Sequence, residues 1–341
     1  MSALSRKQHL ADKIVFVDGL PGCGKTLFSN IISGMDRVEL LSYSYEIEHI
    51  CALQYLDKMP METAINMVRM QTDLKLYNVM MGRDVNFRPT DLSSAINNHN
   101  TSRYFQRLFA PGDEIIPENI KKERPILNFS VHNMLVNSNP IWRALGSRCI
   151  FIEIVRHPLY MIRQQALNME NLFENVRNFT VCFEYKGREL PYYVRGWEER
   201  YLESNALEKA IYFIDELTRK TEKIKREFKK NNNIKILTIP FEPFVLDPEI
   251  WMKKISTEIG AKITSATERV MSEQKIPRDK VSAGLDIGIY RRCGWTVPID
   301  GATESDELNI RRIDVANNVN KHALSTFDNL IEKYEKNYWK P

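Results

Sequence analysis

A stretch near the N-terminus combines the residue types that hold a phosphate group. Residues Gly19 to Thr26 read Gly-Leu-Pro-Gly-Cys-Gly-Lys-Thr and match the spacing G-x-x-x-x-G-K-[ST]. Gly22 and Gly24 allow successive backbone N–H groups to turn inward around an anion. Lys25 adds a positive charge, and Thr26 adds a hydroxyl. The stretch therefore predicts a site for a phosphate or a phosphate-like anion.

The flanking residues indicate how this site is positioned. Ile14 to Val17 are apolar and β-favouring, which predicts a short buried strand before the loop. A helix from about Leu27 would direct its positive end at the bound anion. A second short strand is predicted over Val38 to Ser42. In an open parallel sheet, the residues just past the carboxyl ends of the strands face the ligand crevice.

Titratable side chains follow the second predicted strand and two later ones. Glu46, Glu48 and His49 come after the second strand, either for chemistry or as the acidic first turn of a solvated helix. An apolar run over residues 125–132 predicts a buried strand that ends at His132. Cys149 to Val155 is the most strand-like segment. It stops at Arg156-His157. Pro158 follows, and proline is favoured in the first turn of a helix, so a new helix is predicted to begin there.

Helical spacing and aromatic content indicate two insertions. Between residues 45 and 120, approximately, the spacing of apolar residues predicts two helices separated by a break near Pro60. It also predicts a third helix over Ser93 to Leu108. Residues of about 170–205 contain a predicted hairpin with strands over 179–185 and 189–194, either a substrate wall or lid or a small satellite core. Residues 207–230 predict a long helix. Its Ile211 to Asp215 stretch mimics the strand that binds magnesium in nucleotide hydrolases.

Composition restricts the class of protein. The 341 residues include 43% hydrophobic and 27% charged residues, as in ordinary globular chains. The net charge is +4, and positively and negatively charged residues alternate along the chain instead of forming a block. This pattern favours an anionic ligand in a local pocket over a nucleic-acid partner. The five cysteines are widely spaced and form no C-x-x-C pair, which predicts a reducing compartment and no metal site. Without a signal-like start or an apolar run of spanning length, we expect a cytoplasmic protein with no membrane span.

The order and spacing of these blocks resemble the P-loop sulfotransferases, which transfer a sulfuryl group from 3′-phosphoadenosine 5′-phosphosulfate (PAPS). In that family a loop similar to Gly19–Leu27 holds the 5′-phosphosulfate, and an Arg-x-Pro motif like Val155-Arg-His-Pro158 binds the 3′-phosphate. Cytosolic members carry a catalytic histidine about two dozen residues earlier, and His132 stands 24 residues before Arg156. Arg291-Arg-Cys-Gly294 resembles a C-terminal loop that also grips the 3′-phosphate.

The resemblance implies a P-loop three-layer α/β/α fold with a mainly parallel central sheet, helical insertions and an inserted β-hairpin, in one domain over residues 1–341. It also implies sulfuryl transfer from PAPS to a hydroxyl or amine, without a metal. The acceptor would be a small molecule, a glycan or a lipid. The implied donor-binding residues are Gly22, Cys23, Gly24, Lys25, Thr26, Leu27, Arg156, Gln164, Arg291, Arg292 and Gly294.

The resemblance also assigns catalytic roles. His132 would take the proton from the acceptor, since histidines ordinarily titrate near neutral pH. Lys25 would stabilise the charge that develops on the leaving nucleotide. Glu46 or Glu48 is the alternative base, as in members that use a carboxylate after the second strand.

Two departures from the family pattern define the rival interpretations. Gln164 stands where the family usually has serine, and Gly22 and Lys25 replace a basic residue and a threonine. The Gly-Lys-Thr loop is closer to nucleotide kinases, so an ATP-dependent kinase is one alternative, with Thr26 binding Mg²⁺. That reading needs an aspartate at a strand end, and none stands out. The other alternative is a nucleotide-binding protein of the same fold that has lost turnover.

Overall fold

The computed structural model describes residues 3–91, 93–173, 176, 178–228, 234–283 and 301–341. The strands are β1 (Ile14–Asp18), β2 (Val38–Tyr43), β3 (Ile126–Ser130), β4 (Cys149–Val155), β5 (Cys182–Tyr185), β6 (Arg188–Pro191) and β7 (Lys235–Pro240). The helices are α1 (Lys25–Ser33), α2 (Tyr45–Tyr55), α3 (Met61–Met80), α4 (Thr101–Leu108), α5 (Ile116–Glu123), α6 (Asn139–Leu145), α7 (Pro158–Glu170), α8 (Glu198–Glu203), α9 (Ala206–Phe228), α10 (Phe241–Leu246), α11 (Glu249–Ile259), α12 (Ser265–Glu273), α13 (Glu304–Ala316) and α14 (Lys321–Asn337).

Five strands form a parallel sheet in the order β2-β3-β1-β4-β7. Successive side chains of a strand point to opposite faces, and both faces of this sheet are covered. Val15 and Val17 of β1 pack into a core shared with α1, α7 and α9. Ile14 and Phe16 pack into a second core with α2, α3 and α6. The structure therefore confirms the predicted α/β class, with a parallel sheet between two helical layers.

The two predicted insertions hold the kinds of element expected. Helices α2 to α5 lie between β2 and β3, with a break before Met61. Strands β5 and β6 form an antiparallel hairpin. Its turn residues Lys186 and Gly187 both have positive φ, as a tight two-residue turn requires. That residues 1–341 form one domain stays a prediction.

The predicted helix over Ser93 to Leu108 is wrong in its first half. Only Thr101–Leu108 is α-helical, after a short 3₁₀ turn over Ala95–Asn97. Amide side chains of Asn86 and Asn97 bond to Ser93 Oγ and to the Pro89 carbonyl. Such local bonds compete with the helical ladder and hold this segment as a loop.

The second predicted hairpin strand is also shorter than expected. It ends at Pro191, and Tyr192–Val194 form a 3₁₀ turn. The Tyr192 N–H still donates to the Val181 carbonyl at 2.9 Å, and the 3₁₀ turn, closed by the Arg195 N–H on the Tyr192 carbonyl at 3.2 Å, then ends the strand. Among the described helices, none has both the length and the apolar content needed to cross a membrane.

Candidate active site

The glycine loop, residues 19–24, joins β1 to α1 and packs tightly against two other elements. Gly22 and Gly24 have φ of 84° and 100°, the left-handed region that favours glycine. A Cβ on Gly22 would lie 2.7 Å from Gln164 Oε1 of α7. A Cβ on Gly24 would lie 2.4 Å from the ring of Phe241 in α10. The loop conformation and its neighbours therefore both require glycine here.

Helix α1 begins directly after this loop with its N-terminal donors available. In the described part of the chain, no side chain caps its N-terminus, so the first-turn N–H groups of Thr26 and Leu27 have no intrahelical acceptor. Cys23 is buried, and burial raises the pKa of its thiol, which stays neutral. The helix terminus thus presents donors and a positive dipole end to an anion.

Lys25 lies on the inner side of the loop. Its ammonium donates to the carbonyl oxygens of Gly19 at 2.8 Å and Leu20 at 3.1 Å, and the residue is only 6% exposed. Two of its three protons therefore hold the loop's own backbone. The charge remains next to the loop.

Asp18, which the sequence analysis did not single out, joins the loop to the strand that carries His132. Its two carboxylate oxygens accept the N–H groups of Met134 and Leu135 at 2.9 and 2.7 Å. Burial raises the pKa of Asp18 to about 6, against the opposing effect of these bonds and of Lys25. Its position, between the predicted strand over Ile14 to Val17 and the glycine motif, was the available sequence signal.

His132 follows β3 and is held by Glu48 of α2. Glu48 Oε1 accepts the His132 backbone N–H at 2.9 Å and lies 3.1 Å from its Nδ1. With Nδ1–H donating to this carboxylate, Nε2 keeps a lone pair that can accept a proton. The imidazole lies nearly parallel to the rings of Tyr43 and Tyr45, each with its centroid 6.4 Å away. The pair has the geometry of an oriented general base.

The two predicted alternative bases differ in their surroundings. Glu48 is largely buried against His132, whereas Glu46 is exposed in the first turn of α2. Residues two apart on a helix do not face the same way, so the structure brings only Glu48 to the histidine.

Arg156 ends β4 and lies beside the glycine loop. Its Nη1 donates to the Gly22 carbonyl at 2.8 Å, and its guanidinium lies 4.4 Å from the centroid of the Phe241 ring. Its Nε is 3.8 Å from Oε1 of the buried Glu242, which also accepts the His157 N–H. Burial raises the pKa of Glu242, while Arg156 opposes the shift. The loop and the strand-end arginine are therefore brought together, as the strand-end argument predicted.

Gln165 is a second residue that the sequence analysis did not single out. It is fully buried and its Nε2 donates to the Pro21 carbonyl, while its Oε1 has no hydrogen-bond partner among the residues described. It occupies the buried stripe of α7, among Met161, Ile162, Ala166 and Met169. A polar residue on an apolar helical face was the signal that could have identified it.

One cavity connects these groups. It has a volume of about 320 Å³ and lies between Pro21 of the loop, the His132–Glu48 pair and Gln165. Aromatic residues of the predicted hairpin segment, Phe179 and Tyr192 among them, form another wall. We call it the His132 cavity, and its size is in the range of small-ligand sites.

A second cavity also borders the loop, at Gly19, Leu20 and Cys23. It measures about 100 Å³, and Asp18, Glu153 and Arg156 are in its wall. Asn133 lines both cavities. The predicted donor residues Arg291, Arg292 and Gly294 lie outside the described residues.

Comparison with known proteins gives structural neighbours only. No family model and no curated protein matches this chain. Among solved structures, it is similar to the sulfotransferase domain of the Synechococcus PCC 7002 olefin synthase, with 12% identity, 92% of this chain and 98% of that chain covered, and a TM-score of 0.43. The sulfotransferase domain of the curacin biosynthetic pathway gives 12% identity, 92% and 99% coverage and a TM-score of 0.44.

Mouse sulfotransferase SULT7A1 complexed with PAP gives 12% identity, 96% and 85% coverage and a TM-score of 0.34. All three neighbours are sulfotransferases. That is the family that the sequence motifs resemble.

Proposed function

We propose that this protein is a PAPS-dependent sulfotransferase that acts on a hydroxyl or amine. The observation that carries the proposal is the His132–Glu48 pair, which shares one cavity with the glycine loop. A general base beside an anion-binding loop is the arrangement that group transfer from an anionic donor to a hydroxyl requires.

The residues around the loop fit such a donor. The first-turn N–H groups of α1 and the positive-φ backbone at Gly22 and Gly24 suit the 5′-phosphosulfate. Arg156 and Gln164, both next to Gly22, would hold the 3′-phosphate. Arg291, Arg292 and Gly294 are proposed as its further ligands on the family resemblance alone.

His132 is proposed as the base. Its Nε2 accepts the proton of the acceptor hydroxyl while the acceptor oxygen bonds to sulfur and the bond from sulfur to the 5′-phosphate oxygen breaks. PAPS supplies the sulfuryl group and leaves as adenosine 3′,5′-bisphosphate. Glu48 keeps the imidazole in place and offsets its positive charge.

Lys25 is proposed to act on the loop and its charge. Its bonds to Gly19 and Leu20 fix the backbone that receives the anion. Its ammonium lies in a buried place, where a positive charge stabilises the negative charge of the leaving group more strongly than in water.

The kinase alternative has less support from the strand ends. The two strands beside β1 end at Ser130 and Val155 and are followed by His132 and Arg156. A basic side chain there suits an additional phosphate better than Mg²⁺.

Four described cysteines are free thiols, three of them buried, which is compatible with the cytoplasmic location we propose.

The test is ligand binding followed by transfer. We expect adenosine 3′,5′-bisphosphate without magnesium to raise the melting temperature, and ATP with magnesium to have little effect. The opposite pattern would support the kinase. Transfer of ³⁵S-labelled sulfate to a broad acceptor panel should exceed that of His132→Ala; equal background signals from both proteins would indicate an inactive nucleotide-binding protein.

A further inference from the structure

Two residues that line the His132 cavity carry a buried side-chain oxygen with no hydrogen-bond donor among the described residues. The Nε2 of Gln165 donates to the Pro21 carbonyl, which fixes the amide orientation and leaves Oε1 unpartnered within the described part of the chain. Asn133 Oδ1 is also buried, and none of the residues that the structure describes donates to it. A buried polar atom left unpaired costs about 1–3 kcal/mol, so such atoms usually have a partner in the bound or hydrated protein. Both residues line this cavity.

His132 adds a third acceptor to the same space. Because Nδ1–H donates to Glu48, the lone pair of Nε2 is available in the cavity wall. Three acceptors around one cavity suit a ligand that presents several O–H or N–H donors together. A phenol or a sterol has one or two hydroxyls and would leave buried acceptors unpaired.

The charge of the cavity indicates a neutral ligand. Of its described lining residues, Glu48 alone carries a formal charge when histidines are neutral, and it is bonded to His132. An anionic acceptor would meet no lysine or arginine among those residues. A cationic acceptor would meet a carboxylate that His132 already occupies.

Aromatic rings stand at the cavity wall together with these polar groups. Tyr45 is 43% exposed and Phe179 is 62% exposed, and their ring centroids lie 6.1 Å apart at an angle of 67°. His49 donates to the Phe179 carbonyl at 2.7 Å and so fixes this wall to α2. Exposed aromatic faces suit the C–H face of a sugar ring, while the amides suit its hydroxyl edge.

We infer that the His132 cavity binds a neutral carbohydrate, whose hydroxyl is the acceptor. The transfer part rests on the proposed function, and the binding part does not. The vicinal hydroxyls would donate to Gln165, Asn133 and His132, and one ring face would lie against Tyr45 or Phe179.

Direct binding tests the inference without turnover. Full-length protein is applied to an array of neutral glycans, and the glycans that bind are measured by calorimetry and by saturation-transfer NMR. p-Nitrophenol and β-estradiol serve as competing acceptor classes. We expect a neutral glycan to bind, with saturation transfer to its C–H protons from aromatic protons. If no neutral glycan binds, the inference is wrong.

Two variants should weaken glycan binding and still fold. Asn133 has a φ of 55°, which glycine adopts freely, so Asn133→Gly removes the acceptor without backbone strain. Phe179→Ala shortens an exposed side chain. We expect each to weaken glycan binding about tenfold, a loss of about 1.4 kcal/mol. Matched controls are Lys275→Gly, also at positive φ, and Phe109→Ala, 85% exposed. Binding insensitive to both cavity variants would contradict the inference.

The two proposals fail differently. If adenosine 3′,5′-bisphosphate binds and sulfate is transferred to the phenol but to no glycan, the carbohydrate inference is wrong and the proposed function stands. If a glycan binds with the expected sensitivity to Asn133→Gly but neither nucleotide binding nor transfer occurs, the cavity assignment stands and the sulfotransferase proposal is wrong.

Discussion

One carboxylate oxygen of Glu48 contacts two nitrogens of His132, the backbone N at 2.9 Å and Nδ1 at 3.1 Å. A single atom therefore fixes both the end of β3 and the orientation of the imidazole. Positioning of this kind gives Glu48 a role that depends on His132, and the two residues should show coupled effects on turnover.

Substitution of the pair should reduce turnover to different extents. His132→Gln should lower kcat about 10²- to 10⁴-fold, the usual contribution of a general base. Glu48→Gln should lower it about 10- to 100-fold, because it weakens a charge-assisted bond. Steady-state kinetics and a double-mutant cycle measure both. The control is Glu118→Gln, an exposed glutamate in the first turn of α5. Full activity in His132→Gln would move the base elsewhere, and Glu46→Gln would be the next test.

Arg156 should be required for nucleotide affinity. Arg156→Lys keeps the charge but loses the planar guanidinium that bonds Gly22 and stacks on Phe241. We expect the affinity for adenosine 3′,5′-bisphosphate, measured by calorimetry, to fall about 10- to 100-fold, because one charge-assisted hydrogen bond contributes about that much to binding. Affinity for inorganic pyrophosphate, which has no 3′-phosphate, should fall less. Arg143→Lys, at an exposed position of α6, is the control. Unchanged nucleotide affinity in Arg156→Lys would argue against a 3′-phosphate site here.

The glycine loop should tolerate no side chain at Gly22. Gly22→Ala combines a positive φ with a contact of 2.7 Å to Gln164 Oε1, and we expect a loss of about 1–3 kcal/mol in the free energy of unfolding. The double variant Gly22→Ala/Gln164→Ala removes the contact and keeps the backbone strain, so it should recover only part of the loss. Urea unfolding measures both. Full recovery would show that φ at this position costs nothing.

His157 should make stability depend on pH. It is fully buried, and its Nδ1 accepts the Leu159 N–H at the start of α7. Burial and the nearby Arg156 lower its pKa from 6.5 to about 3. Between these values the unfolded chain binds more protons than the folded protein, so the free energy of unfolding falls as the pH falls from 6.5 towards 3, by up to about 5 kcal/mol.

His157→Asn isolates this contribution, since asparagine can still cap the helix but does not titrate. The loss of stability from pH 7.5 to pH 5, measured by urea unfolding, should be smaller in His157→Asn than in the wild type. Asp18 acts in the opposite direction, since its raised pKa of about 6 favours folding at lower pH. Because Asp18 is present in both proteins, its effect cancels when their slopes are compared. His322→Asn, at an exposed histidine, should keep the wild-type slope. Equal slopes in all three proteins would contradict the assignment.

Local patterns were sufficient to predict the sheet and the position of His132. The strands are apolar runs bounded by polar turns, and parallel strands place their carboxyl ends at one edge. For this reason the loop, His132 and Arg156 could be placed together before their contacts were known. The hairpin and the break before Met61 were predictable for the same reason, since glycine and proline interrupt the pattern.

Contacts between distant elements could not be predicted in this way. The bond between Glu48 and His132 joins α2 to β3, and the sequence left Glu46 and Glu48 equivalent. Asp18 and Gln165 stood at positions that the sequence marked, but their partners are backbone groups of Met134 and Pro21, and backbone partners have no sequence signature. The helix predicted from Ser93 failed because asparagine amides made local bonds that helical periodicity does not register.

The neighbouring positions of β1 and β3 also determine which parts of the chain are free to vary. Val17 pairs with Ser130 across one parallel ladder, so the strand that leads into the anion loop and the strand that leads to His132 are neighbours, with a gap of about 4.8 Å between their backbones. The intervening helices α3 to α5 do not set that gap. Relatives could therefore replace this outer segment wholesale, altering what reaches the site from solution while the reacting groups keep their separation.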